Sequence, residues 1–137
     1  MRKYLPTLAE LIDRLSIVTL KSIKIPENKE EYEKEAQEIM HDINVTIDKG
    51  IGDMGQFIRA TQMIMLTNEV IWQNESKARA GGDGQDHLLK FTHSVNGVRN
   101  LAKNVVSNLT GERLDLKTDC LAADLCKQNG YDFEGIL

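Results

Sequence analysis

Residues 54–80 read as one uninterrupted helix, and that run constrains the chain more than any other feature. At 1.5 Å per residue it is roughly 40 Å long, and its apolar side needs partners of comparable length. Three further segments supply them. The first opens at "PTLAE", where Thr7 and Glu10 have capping-box spacing; Leu8, Leu11, Ile12, Leu15 and Val18 then recur at helical intervals until Pro26. The second opens at Asn28, with Glu31 three residues on, and carries Tyr32, Ala36, Ile39, Met40, Ile43 and Ile47 to a stop at "KGIG". After the glycine-rich break "AGGDGQD", the last places Phe91, Val95, Val98, Ala102, Val105 and Leu109 on one face.

The predicted architecture is all-α: one four-helix-bundle-like domain over residues 1–137. Its helices fall at 8–25, 29–49, 54–80 and 87–109, with a short C-terminal helix at 119–128. Strand-like alternation occurs only at "RLDLK". On helix one, Ile17 and Leu20 point away from the Leu11/Leu15 face, on the side of Asp13. A helix apolar on two sides is either sandwiched within the bundle or covered by another chain, and a homo-oligomer is expected.

The polar residues of the long helix raise the functional question. At 100° per residue, Phe57, Ile64, Met65, Ile71 and Trp72 cluster on the expected core face, while Arg59, Gln62, Gln73 and Lys77 point to solvent. Thr61, Asn68, Glu75 and Arg79 fall on the apolar side. Unpaired polar groups there cost about 1–3 kcal/mol each. Two readings follow. Glu75 and Arg79, spaced i, i+4, pair with each other while Asn68 fixes register. Alternatively, Asn68, Trp72, Glu75 and Arg79 line a pocket, with an aromatic wall, an amide for polar edges and an arginine fork for an anion.

Two other rows bear on this choice. Glu31, Glu35, Glu38 and Asp42 form an acidic line on helix two; Glu35, Glu38 and Asp42 have the chemistry to ligate Mg²⁺, or the row is a solvated face. Helix four carries His93, Asn96, Asn100, Lys103 and Ser107 on one stripe, with Arg99 at its edge. The stripe lies opposite Val98 and Val105, which points to the solvent side. A partner subunit or an anionic ligand covering it would instead meet hydrogen-bond donors from Asn96, Arg99, Asn100 and Lys103.

The elements "LIDRLSIVTLK" and "NEVIWQNESKAR" resemble an uncharacterised bacterial and phage-associated helical family, marked by Asp-Arg-Leu-Ser and Asn-x-x-x-Trp-x-x-Glu-x-x-x-Arg. The matching positions are Asp13, Arg14, Leu15 and Ser16, then Asn68, Trp72, Glu75 and Arg79. The resemblance implies a helical fold and no particular activity. The acidic helix is also similar to that of the all-α nucleoside-triphosphate pyrophosphohydrolases, where Glu-x-x-Glu (here Glu35 and Glu38) feeds Mg²⁺. Their Glu-x-x-Asp on the following helix has no counterpart; Glu69 and Glu75 stand there instead.

Composition removes other classes. A net charge of −4 argues against non-specific nucleic-acid or membrane-surface binding. Acids interrupt the basic start "MRKYLPTLAELIDRL", so no signal peptide is expected, and Cys120 and Cys126 read as free thiols in a reducing cytoplasm. His41, His87 and His93 lack ligand spacing, and no nucleophile elbow or phosphate-binding glycine loop occurs. The expected function is non-catalytic binding or sequestration of an anionic, nucleotide-like small molecule without a cofactor. The alternatives are Mg²⁺-dependent triphosphate hydrolysis and a structural assembly module.

Overall fold

The computed structural model describes residues 5–48, 50–82, 84–112 and 122–136. It is an all-α bundle of α1 (Leu8–Lys24), α2 (Lys29–Ile47), α3 (Met54–Ala80), α4 (Gln85–Thr110) and a short α5 (Ala122–Gln128). The four long helices lie within about two residues of the sequence-derived bounds, the ordinary uncertainty of a helix end. "RLDLK", Cys120 and the expected start of the last helix lie outside the described residues.

Local chemistry explains the helix ends. Thr7 accepts the Glu10 amide at 3.1 Å, and Asp53 accepts the Gln56 amide at 3.1 Å. The expected cap at Asn28 differs: its side chain makes no capping bond, and a 3₁₀ turn at Pro26–Asn28 leads into α2 instead. Gly111 ends α4 at φ 71°, a left-handed conformation that a residue without Cβ adopts freely. The next residue, Glu112, reaches the opposite terminus of the chain. Its carboxylate accepts the Leu8 amide at 2.9 Å, closing the first turn of α1 from the end of α4.

Helix α1 is sandwiched. One side, with Leu11 and Val18, meets Ala36 and Ile39 of α2. The other, with Leu8, Ala9 and Ile12, joins a larger core of Ala60, Met63, Ile64 and Val70 from α3 and Phe91, Val95, Val98, Ala102 and Val106 from α4. Leu20 is buried and Ile17 half-buried, so the chain itself covers much of α1's second apolar side. Each fully buried Leu or Ile contributes about 1.5–3 kcal/mol.

Helices α3 and α4 form a hairpin and the most extensive pairing in the bundle. The α3 seam is centred on Ala60, Met63, Ile64, Thr67, Val70 and Asn74, rotated from the predicted face. Phe57, Met65, Ile71 and Trp72 are only half-buried. Small seam residues let α4 approach closely, whereas a wheel weighted by large side chains turns the face toward Trp72. Past Asn74 every residue of α3 is exposed, and α4 begins exposed until Leu88, so the hairpin tip stands clear of the core.

Candidate functional site

Asn68 is 4% exposed and sits where α1, α3 and α4 meet. Its Nδ2 donates to Asp13 Oδ1 at 2.7 Å and to Ser16 Oγ, both on α1. The Ser16 hydroxyl donates in turn to the Asp13 carbonyl at 2.7 Å, leaving an Oγ lone pair to accept from Asn68. On the other side of the amide, Asn68 Oδ1 accepts from Arg99 Nη1 at 2.8 Å, and Arg99 Nη2 donates to Asn96 Oδ1. Lys103 Nζ lies 3.9 Å from Asp13 Oδ2, with about 15% of its side chain exposed. Arg99 of α4 and Asp13 of α1 are thus joined through a neutral amide on α3, and Lys103 of α4 pairs with Asp13 directly.

Why the sequence folds this way follows from side-chain inventory. Asp13 and Ser16 are three apart and share one face of α1; Asn96, Arg99 and Lys103 are spaced three and four and share one face of α4. Burying these groups is tolerable because nearly every polar atom finds a partner. Among the described residues two buried donors do not: Arg99 Nε and Asn74 Nδ2.

Beside this clasp lies a cleft of about 730 Å³. Ile71 and Glu75 of α3, Leu125 of α5, and Lys90, His93, Asn96 and Arg99 of α4 line it, with Leu89, Thr92 and Ser94 completing its α4 side. Asn96 and Arg99 belong to both features. The cleft is open to solvent, with Leu89 71% exposed at its edge.

The expected ligand residues therefore divide. Asn68, Asn96, Arg99 and Lys103 come together in the clasp, and Glu75, Asn96 and Arg99 face the cleft. Trp72 is half-buried but does not line the cleft. Arg79 is exposed on the hairpin tip, so of the line Asn68, Trp72, Glu75 and Arg79 the cleft takes in Glu75 and not the others. Of the α4 stripe, His93 is exposed as expected, whereas Asn100 and Ser107 are buried and Asn96, Arg99 and Lys103 are half-buried, so most of it does not face solvent. The wheel failed here because α4 is covered on more sides than its apolar residues indicate. Glu35, Glu38 and Asp42 are all exposed on α2, and among the described residues no three His, Cys, Asp or Glu side chains gather as metal ligands.

Lys90, Leu89 and Leu125 were not legible as site residues. One signal existed: Leu89, His93, Asn96 and Asn100 are spaced four, three and four, extending the polar stripe upward to an apolar residue. Next to the clasp, Glu69 binds Lys24 of α1 at 3.0 Å and accepts from Gln73 at 2.9 Å. Partial burial works to raise the Glu69 carboxyl, but the Gln73 and Lys24 hydrogen bonds and the Lys24 charge outweigh it and leave it below the ordinary carboxylate range.

The fold and these contacts define a helical bundle with a buried polar clasp opening onto a cleft. No known protein family, curated protein or solved structure matches the chain.

Proposed function

We propose that the protein binds, without turning it over, a small anionic organic molecule of nucleotide size in the cleft between α3, α4 and α5. The observation that carries this reading is Arg99, a cation held at the cleft wall by two side-chain carbonyls. A guanidinium has five N–H donors, and Asn68 and Asn96 engage only two of its nitrogens. An acceptor-rich ligand is what such a group recognises best, in the planar geometry it favours for carboxylate and phosphate. Lys90 and His93 add positive or donor character, Glu75 supplies an acceptor, and Ile71, Leu89 and Leu125 supply apolar surface. The volume lies within the roughly 300–1,000 Å³ range of small-molecule sites. Sequestration and sensing are both consistent with binding alone.

Thermal unfolding with AMP, ATP and inorganic phosphate tests the reading. A true ligand at roughly a hundredfold excess over its Kd should stabilise the wild type by about 2.7 kcal/mol. Arg99→Met should lose that response while remaining folded. Responses identical in wild type and Arg99→Met would refute the reading.

A homo-oligomer is the second reading, and one observation favours it. Met54 and Ile58 are 52% and 48% exposed on α3, on the same helical line as half-buried Met65 and Trp72. A second copy of the chain packing there would cover this line, and Ile58→Lys would then lower the mass measured by light scattering. Among the described residues the Mg²⁺-dependent hydrolase reading has no gathered carboxylates in its favour.

A further inference from the structure

We infer that Asp13 is the positioning residue of the cleft: through Asn68 it sets the direction in which Arg99 is held. The argument rests on which groups can only give and which can only take. An ionised carboxylate is acceptor-only, and a guanidinium is donor-only. The Asn68 amide lies between one of each, with Nδ2 on Asp13 Oδ1 and Oδ1 on Arg99 Nη1. Turning the amide over would set carbonyl against carboxylate and NH₂ against guanidinium, so only one orientation satisfies both neighbours. Ser16 reinforces it: its own proton is committed to the Asp13 carbonyl, which leaves its oxygen to receive the second Nδ2 hydrogen.

Arg99 has two anchors, and they differ in kind. Asn96 lies three residues away on the same helix and moves with it. Asn68 comes from α3 and is itself fixed from α1, so among the described residues it is the side-chain anchor that ties the guanidinium to another helix. Asp13 never touches the cleft, and its effect there is indirect. A shift of α1 relative to α3 would alter how Arg99 is presented, so the packing of α1 and the state of the cleft are coupled. This inference builds on the proposed anion site, but its test needs no ligand.

The test compares Arg99 and Asn68 side-chain N–H resonances in the ligand-free wild type with those of four variants. Asp13→Ala removes the acceptor. Asp13→Asn keeps an acceptor oxygen while removing the charge, Ser16→Ala removes the second acceptor, and Lys103→Met removes only the ion pair of Asp13. The inference predicts that Asp13→Ala accelerates solvent exchange at Arg99 about tenfold or more, the lower end of the factor set by losing a hydrogen bond to a charged group. Ser16→Ala should produce a smaller increase. Asp13→Asn should preserve the wild-type Asn68 resonance pair, and Lys103→Met should leave Arg99 unchanged. If Asp13→Ala does not fold, Ser16→Ala and Lys103→Met decide: faster exchange in the first alone supports the inference. Faster exchange in Lys103→Met, or none in either Asp13→Ala or Ser16→Ala, overturns it. Anion binding is scored separately by the AMP, ATP and phosphate response of the wild type, so failure of the cleft reading and failure of the positioning inference give different results.

Discussion

Replacing Asn68 by Leu keeps the branched side-chain skeleton and deletes every polar contact that Asn68 makes. The amide makes one hydrogen bond to a carboxylate, one to a guanidinium and one to a hydroxyl. The two bonds to charged partners are worth about 1.5–3 kcal/mol each, which sets an upper range of about 3–6 kcal/mol. Asp13 and Arg99 are only half-buried, so water can reach part of what the amide leaves behind, and a loss of about 2–4 kcal/mol is expected. Urea unfolding measures it. With m of about 2 kcal/mol/M, the middle of the usual range, the midpoint should fall by roughly 1–2 M at unchanged m. Glu75→Ala and Arg79→Ala, on exposed positions, should stay within about 0.5 kcal/mol of wild type. Asn68→Asp sharpens the test. It retains an acceptor for Arg99 but faces Asp13 with a like charge, so its destabilisation should shrink as pH falls and one carboxylate takes a proton. A loss below about 0.5 kcal/mol in Asn68→Leu would refute the reasoning, because a surface substitution does as much.

Three further outcomes follow from the packing. Glu112→Ala should cost about 0.5–2 kcal/mol in the same assay, since it removes the carboxylate that accepts the first amide of α1. Glu69 has a folded-state pKa below its unfolded value, so the stability it adds is present above roughly pH 4.3 and lost as pH falls through the lower folded value. Lys24→Met should flatten that acid limb by less than about 1 kcal/mol, because both partners are partly exposed. Burial pushes the Cys126 thiol up, so peptide-mapped alkylation at neutral pH should leave Cys126 unmodified until the protein unfolds; labelling of the native protein at the rate of a free thiol would contradict that.

The helices were legible because their signals are local. Apolar spacing, the cap at Thr7 and the glycine-rich break after α3 all act within a few residues of what they decide. The clasp was legible in pieces. Asn68 stood out as an amide on an apolar face, and Arg99 and Lys103 as cations on one stripe. That Asp13 and Ser16 would meet Asn68 depends on how α1 crosses α3, which no single-helix wheel contains. The rotation of the α3 face was hidden for a related reason. Ala60, Thr67 and Asn74 carry little or no apolar weight, yet they make the seam because their small size lets α4 come close. Glu75 and Arg79 sat at the favourable angle but beyond the reach of the core, where angle no longer implies burial. The row Glu35, Glu38 and Asp42 lies exposed on α2, and among the described residues its spacing along one helix does not bring three carboxylates together.

The most direct test of the central claim is native mass spectrometry of the wild type and Arg99→Met, each as purified from cells, followed by analysis of what denaturation releases. The account predicts a small anionic adduct on the wild type that is missing from folded Arg99→Met. Bare protein in both samples, or the same adduct on both, would contradict it.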